Sequence, residues 1–438
     1  MSQWKKVRIG DFLTERTGRY KPDDPTISKY QRLDKIDFSG TIHLSTKPTK
    51  TDMILVQPGD LVISGINVAK GAVSVYQGTE PVCATIHYSS YTFNEKIVDL
   101  DFFRFFVKSP AFLEALKRQV KGGIKTEIKP KHLLPLEISI PDLSEQKRIV
   151  ATVSNSLKKT EDLQKEIDSQ KEFVKLLRQN ILQDAIEGKL TTDWRKAHPV
   201  IKGNPDYDAE ALFEKIQKEK DSNKKQKQLS PITDEVKPFE IPEGWIFTRL
   251  GEISEIVRGG SPRPAGDKTY YDGDIPFLKV ADLTGSNEKE LYQFTYTIKE
   301  AGLKKTRLVE KETLMLTNSG ATLGIPKICM IQKTFNDGIA ALLGIHERIL
   351  KDYLYYFLKS KTKWFLKEAA KGQGQPNLNT DIVSGTILPL PPLKEQEEIV
   401  NKIESLLTKV TELENQIQER KTLSEKLAFG IIKEKLEG

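Results

Sequence analysis

Side chains able to do chemistry are plentiful in this 438-residue chain, yet none falls into a spacing that a reaction requires. A phosphate-binding loop needs glycines followed at fixed distance by lysine and a hydroxyl; Gly259-Gly260-Ser261-Pro262 has the glycines without that lysine. No Gly-x-Gly-x-x-Gly follows a strand-like stretch, and Leu390-Pro391-Pro392-Leu393 shares only its prolines with the Asn-Pro-Pro-Tyr type of tetrapeptide that amino-methyltransferases use. His43, His87, His132, His198 and His346 are scattered at no metal-ligand spacing. Asp142 with Glu145 and Lys147 resembles a nuclease carboxylate–lysine set, but the groups are too close together. A helix start, with proline before it and acid in its first turn, explains that segment better. Cys83 and Cys329 sit in apolar runs and read as buried free thiols of a reducing cytoplasm. The expectation is a chain that performs no catalysis, uses no metal and crosses no membrane, since no run of about 18 apolar residues exists.

The elements that carry these residues are written twice. Trp4-Lys5-Lys6-Val7-Arg8-Ile9-Gly10 aligns with Trp245-Ile246-Phe247-Thr248-Arg249-Leu250-Gly251. The aromatic stretch at 101–109 aligns with 352–360, and Pro141-x-Leu143-x-Glu145-Gln146 with Pro391-x-Leu393-x-Glu395-Gln396. Each copy begins with about 140 residues of short β-rich stretches and one helix, placed at 102–116 and 353–369. Each copy ends in one long proline-free helix, at 144–187 and 394–436, with apolar residues stepping by three and four. Such a stripe, on a helix of about 65 Å, reads as a coiled-coil seam. An approximate twofold relation between the copies would make the paired helices antiparallel. The expected fold class is therefore α+β: two α/β-mixed domains separated by two long antiparallel coiled-coil helices, a pseudo-twofold tandem repeat. Its segments are 1–143, 144–188, a lysine-rich linker with a short helix at 189–240, 241–393, and 394–438.

Charge assigns roles to the parts. The chain carries +7 overall, whereas the first long helix is neutral and the second carries −2. The excess of cations lies in the globular parts and the linker, which suggests two nucleic-acid contact modules joined by a spacer. A coiled-coil assembly protein with no sequence-specific DNA reading is the competing possibility.

Together these features resemble the specificity subunits of type I restriction–modification systems. The residues that carry the resemblance are Gly244-Trp245, Leu250-Gly251-Glu252-Ile253, Arg258-Gly259-Gly260-Ser261-Pro262, Ile275-Pro276-Phe277-Leu278 with Ala281-Asp282-Leu283, and Leu388-Pro389-Leu390-Pro391-Pro392-Leu393-x-Glu395-Gln396. The resemblance implies two target recognition domains, each reading half of a bipartite site in double-stranded DNA. It implies helices that set the spacing and dock two modification subunits holding S-adenosylmethionine. It also implies restriction subunits, which translocate DNA and use ATP and magnesium. Copy one has Arg16-Thr17-Gly18-Arg19 where copy two has its Gly-Gly-Ser-Pro turn, so the halves should read different sequences.

Arginine, lysine, asparagine and glutamine on loops supply the bidentate patterns that match base edges. The candidates are Arg16, Arg19, Asn67, Lys70, Lys121 and Lys125 in domain one, and Arg258, Arg263, Asn318, Lys327, Gln373, Gln375 and Asn377 in domain two. The loop Lys371-Gly372-Gln373-Gly374-Gln375-Pro376-Asn377 is the sharpest of them, because glycines let backbone approach DNA and amides pair with adenine. It is equally an ordinary polar loop feeding a strand. Its counterpart, Lys121-Gly122-Gly123-Ile124-Lys125, favours phosphate.

Overall fold

The computed structural model describes residues 4–119, 129–220, 229–369 and 377–436. The chain divides into two compact units, residues 1–170 with 416–438, and residues 171–415, so each long helix contributes to both. Among the described residues no helix is long and apolar enough to cross a membrane.

The two units repeat one topology. In the first, Lys5–Arg8 pairs antiparallel with Glu137–Ile140, just ahead of the first long helix. In the second, Ile246–Arg249 pairs with Ile387–Leu390 in the same way. Between these strands each unit builds two further sheets. The first unit orders one sheet as Leu13–Glu15, Tyr88–Phe93, Leu61–Ser64, Val73–Val75, all antiparallel. Its second sheet runs Ile42–Ser45, Arg32–Ile36, Val82–Thr85, Met53–Val56, with a parallel pair at its centre. The second unit matches this strand for strand. One sheet is Glu255–Arg258, Ile339–Leu343, Thr313–Thr317, Pro326–Cys329, with Glu290–Leu291 added at the edge. The other is Tyr296–Ile298, Tyr271–Leu278, Lys333–Phe335, Leu308–Val309, again with its central pair parallel.

The aromatic helices differ between copies. In place of the single helix expected at 102–116, the first unit has Leu100–Phe106 and Pro110–Gln119. Pro110 has no N–H to continue a helix and restricts Ser109, so the chain breaks and restarts with Ser109 as cap, its Oγ accepting from Phe112 N at 3.2 Å. Copy two has Lys361 at the matching place and runs on through Lys351–Trp364 into a π-helical turn, Phe365–Ala369.

The long helices are Leu143–Ile186 and Leu393–Leu436. Buried positions fall at multiples of seven residues: Val153, Ile167, Val174 and Ile181 in one, Ile403, Val410, Ile417 and Ser424 in the other. That period is the one that keeps a seam facing its partner. Within the first unit the pairing is antiparallel, with Arg420 meeting Gln170 and Glu166 while Leu436 packs with Ile149 and Val153. Within the second unit Arg178 grips Glu414, and Lys402 donates to Leu190 O at 2.9 Å. Four residues expected in the seam are instead exposed: Leu177, Leu413, Leu423 and Leu427. Around the buried series Leu157, Leu163 and Leu406 are half-buried, while these four point outward.

The segment at 189–240 is less of a free linker than its lysines suggest. Ala209–Glu219 is an amphipathic helix, and Leu212 and Ile216 are buried with Trp245, Leu250 and Ile403 in the second unit's core. Half of the lysine run, Lys224, Lys225 and Lys227, falls at 221–228, outside the described residues.

Candidate nucleic-acid interface

The repeated Glu-Gln pair explains how each domain is fixed to its helix. Gln146 is fully buried; its amide donates to Pro141 O at 2.8 Å and Ile97 O at 3.2 Å, and its oxygen accepts from Asp99 N at 2.7 Å. Gln396 repeats this, donating to Pro391 O at 3.0 Å and accepting from Leu350 N at 2.9 Å. The glutamates diverge. Glu395 is buried and accepts from Trp245 Nε1 at 2.7 Å, Thr191 Oγ1 at 2.6 Å and Arg195 at 2.5 Å. Glu145 is half-buried and held by Arg148, which lowers its pKa from the usual carboxylate value.

Away from the helices, strand ends converge into one surface in each domain. In domain two, Thr313–Thr317 runs out at Asn318-Ser319-Gly320, and Asn336-Asp337-Gly338 precedes Ile339–Leu343. Asn318 N donates to Gly338 O at 2.9 Å, Leu378 N to Asn318 O at 2.8 Å, and Ser319 bridges to Asn377. Arg258 Nε donates to Asp337 O, and Ser261 Oγ to Asp337 Oδ1 at 2.6 Å. The Ser261 hydrogen bond lowers the pKa of Asp337 against the opposing effect of burial, with smaller contributions from Arg258 and Arg263. The Gly-Gly turn is required by space: a Cβ on Gly259 would lie 2.3 Å from Asn336 O and Phe335 O, and one on Gly260 2.3 Å from Lys305 O.

Arg258, Arg263, Asn318 and Asn377 therefore come together around Asp337. Among the described residues, four atoms there are buried without a hydrogen-bond partner: both amide atoms of Asn318 and the Oδ1 atoms of Asn336 and Asn377. Asn318 is only 1% exposed, so it lies beneath the surface rather than on it. Each such orphan costs about 1–3 kcal/mol, and unsatisfied buried polar groups mark places where a protein has a task other than stability. Asn336 and Asp337 were not singled out in the sequence; their signal is the Asn-Asp-Gly turn at 336–338. Lys327 does not join them. Its ammonium is buried and donates to Ser286 O at 2.9 Å and to Glu288 O, pinning a strand; burial lowers its pKa. Gln373 and Gln375 lie outside the described residues.

Domain one has the same frame. Gly65 N donates to His87 O at 3.0 Å, as Asn318 does to Gly338, and the loop that follows carries Asn67 and the exposed Lys70. Arg16 is not free to read a base. The Nε–Nη2 edge of its guanidinium is bound by both oxygens of the buried Asp60, at 2.6 and 2.8 Å, and Asp60 also accepts from Ser90 Oγ and Gln57 N. Arg19 is exposed, whereas Lys121 and Lys125 lie outside the described residues.

Beside each tip stands a feature with no clear trace in the sequence. Phe38 is 63% exposed, with Lys70 Nζ 5.8 Å from its ring centre. In domain two Tyr292, Phe294 and Tyr296 are exposed, with Lys279 Nζ 3.3 Å from the ring centre of Tyr296.

A family model described as type I restriction modification DNA specificity domain matches residues 1–171 and again 242–420. The chain belongs to that family. Its two specificity domains are the two copies found in the sequence. Among its relatives, the MjaIX specificity subunit of Methanocaldococcus jannaschii is 28% identical over 197 residues, which is 44% of this chain and 44% of that protein. The Escherichia coli EcoAI specificity subunit is 23% identical over 392 residues, 77% of this chain and 64% of that protein. The chain thus spans less than two thirds of the length of these curated relatives. A solved chain from work on assembly and conformational transition of the type I R-M system matches with a TM-score of 0.65. It is 17% identical and the match covers 99% of this chain and 97% of that one, which places this chain in the same fold.

Proposed function

We propose that the chain is the DNA-reading subunit of a type I restriction–modification complex, with each specificity domain contacting one half of a bipartite, asymmetric site. The observation that carries this reading is one strand order built twice, each copy followed in sequence by its own long helix, with the tips diverged. Shared topology fits a common duplex partner; diverged tips fit two unlike half-sites separated by a nonspecific spacer, centred roughly one helical turn apart. In domain two, Arg258, Arg263, Asn336 and Asn377 would meet base edges, and in domain one Arg19, Asn67 and Lys70. Lys121, Lys125, Gln373 and Gln375, outside the described residues, would add to these contacts.

The chain's own part is recognition. Methyl transfer with S-adenosylmethionine would belong to modification subunits, and ATP- and magnesium-dependent translocation to restriction subunits, all in the cytoplasm. Two modification subunits per chain is the stoichiometry supported by the outward leucines. Phe173 and Leu177 on the first long helix stand 250 residues before Leu423 and Leu427 on the second, all four exposed. One partner surface could dock on each pair.

Exchanging residues 1–143 for those of another family member tests the reading directly. Methylome sequencing should show one half-site changed and the other kept; a change in both, or in neither, refutes it.

A further inference from the structure

The exposed rings beside the two tips are not explained by folding. In domain one Phe38 sits in the turn between Arg32–Ile36 and Ile42–Ser45. In domain two the corresponding connection follows Tyr271–Leu278 and ends at Tyr296–Ile298, whose first residue pairs with Phe277. These stretches share no sequence match, and the connection in domain two is much longer. Both nonetheless place an aromatic ring in solvent, and both set a lysine ammonium against it.

Both rings are held rather than loose. Asp37 accepts from the backbone N–H of Ser39 at 3.0 Å and of Thr41 at 2.9 Å, which closes the turn bearing Phe38. Gly71 presses on the same turn, since a Cβ there would lie 2.4 Å from Phe38 O. In domain two one carboxylate, Asp282, accepts from Lys279 N at 2.7 Å and from Thr295 Oγ1 at 2.5 Å, fixing the lysine and the residue before the ring together. Each turn also abuts the polar tip of its own domain: Gly71 follows the Asn67–Lys70 loop, and Val280 Cγ2 would lie 2.6 Å from a Cβ on Gly338.

We propose that each domain presses a lysine-flanked aromatic ring, Phe38 in domain one and Tyr296 in domain two, against the base stack of its own half-site. The ring supplies an apolar face that stacks on or wedges between bases, and the ammonium beside it answers a phosphate. Lys108, whose Nζ would lie 3.9 Å from a Cβ on Gly40, adds a second cation beside the Phe38 turn. A base step that yields easily would then be favoured where the ring enters, so part of each half-site's sequence preference would come from deformability rather than hydrogen bonding. A protein partner would have little use for cations set over both rings; a duplex has phosphates for each.

This inference rests on the domains being DNA readers, and the test separates the two. The full chain assembled with its modification subunits is bound to its methylome-defined duplex, carrying 2-aminopurine in one half-site or the other. The wild-type assembly should bind specifically and change the fluorescence at both places. Phe38→Ala should weaken binding about tenfold to a hundredfold and abolish the fluorescence change at one half-site only. Tyr296→Ala should do the same at the other, while Tyr296→Phe, which keeps the ring, should bind as the wild type does. Leu308→Ala, an equally exposed apolar residue elsewhere in domain two, should change neither signal. Specific binding by the wild type with unchanged affinity and fluorescence in both alanine variants overturns the inference and leaves the DNA reading intact. Loss of complex assembly with DNA signals intact would instead assign the rings to a protein interface and equally overturn it. A wild-type assembly that fails to bind DNA removes the reading itself.

Discussion

The two specificity domains hold the same buried glutamine and differ in almost everything it supports. Gln146 and Gln396 make matching bonds to main-chain atoms, and both sets of strands follow one order. Beside those glutamines, Glu395 is buried in a network with Trp245, Thr191 and Arg195, whereas the half-buried Glu145 meets the exposed Arg148. At the tips, Arg16 is locked onto Asp60 while Arg258 reaches the tip and holds Asp337. Duplication thus preserved what joins a domain to a helix and released what faces a ligand.

The contrast between the glutamates gives the largest expected effect. Glu395→Ala removes the acceptor of two buried donors, Trp245 and Thr191, and of the half-buried Arg195, and should destabilise the second unit by about 3–5 kcal/mol. Glu145→Ala should leave the thermal transition almost unmoved; equal losses in the two variants would break the comparison. The glutamines should behave alike. Gln146→Leu and Gln396→Leu each leave main-chain groups unpaired, so each should cost about 1–3 kcal/mol in denaturant titrations. A twofold disparity between them would show that the joints are not equivalent.

The arginines should separate stability from reading. Arg16→Ala leaves Asp60 buried without its cation and should lower the midpoint of unfolding without altering the methylated sequence. Arg258→Ala should shift stability by less than about 0.5 kcal/mol and relax one half-site in methylome sequencing. The smallest effect concerns Asp337. Its pKa lies below the ordinary carboxylate value, so the stability it contributes is present above that ordinary value and is lost as pH falls through the depressed one. Removing its main hydrogen bond in Ser261→Ala should move that loss to higher pH, seen as a raised Asp337 carboxyl titration by NMR.

The tandem repeat and both long helices are legible in the sequence because they are local or periodic. A seven-residue recurrence needs no knowledge of what it packs against. The same logic misplaced Leu177, Leu413, Leu423 and Leu427, because an apolar residue at a helical step does not state which neighbour it faces. Strand order was not legible, since it depends on pairings such as Leu13 with Phe93, eighty residues apart, and on a parallel pair between Arg32 and Cys83. The candidate surface fared likewise. Arg16 and Lys327 have the composition of DNA contacts, but Asp60 and Ser286, each about forty residues away, decide otherwise. Asn318 and Asn377 were found by residue type alone; their meeting depends on a bridge across the sheet end.

The partners of Gln146 and Gln396 are backbone groups: Ile97 O, Asp99 N and Pro141 O in one copy, Leu350 N and Pro391 O in the other. A main-chain carbonyl or amide presents the same face whatever side chain it carries. A domain with a different surface can therefore keep the glutamine's part of the joint unchanged. If the proposed DNA reading holds, a domain exchanged whole would bring its specificity with this part of the joint already fitted.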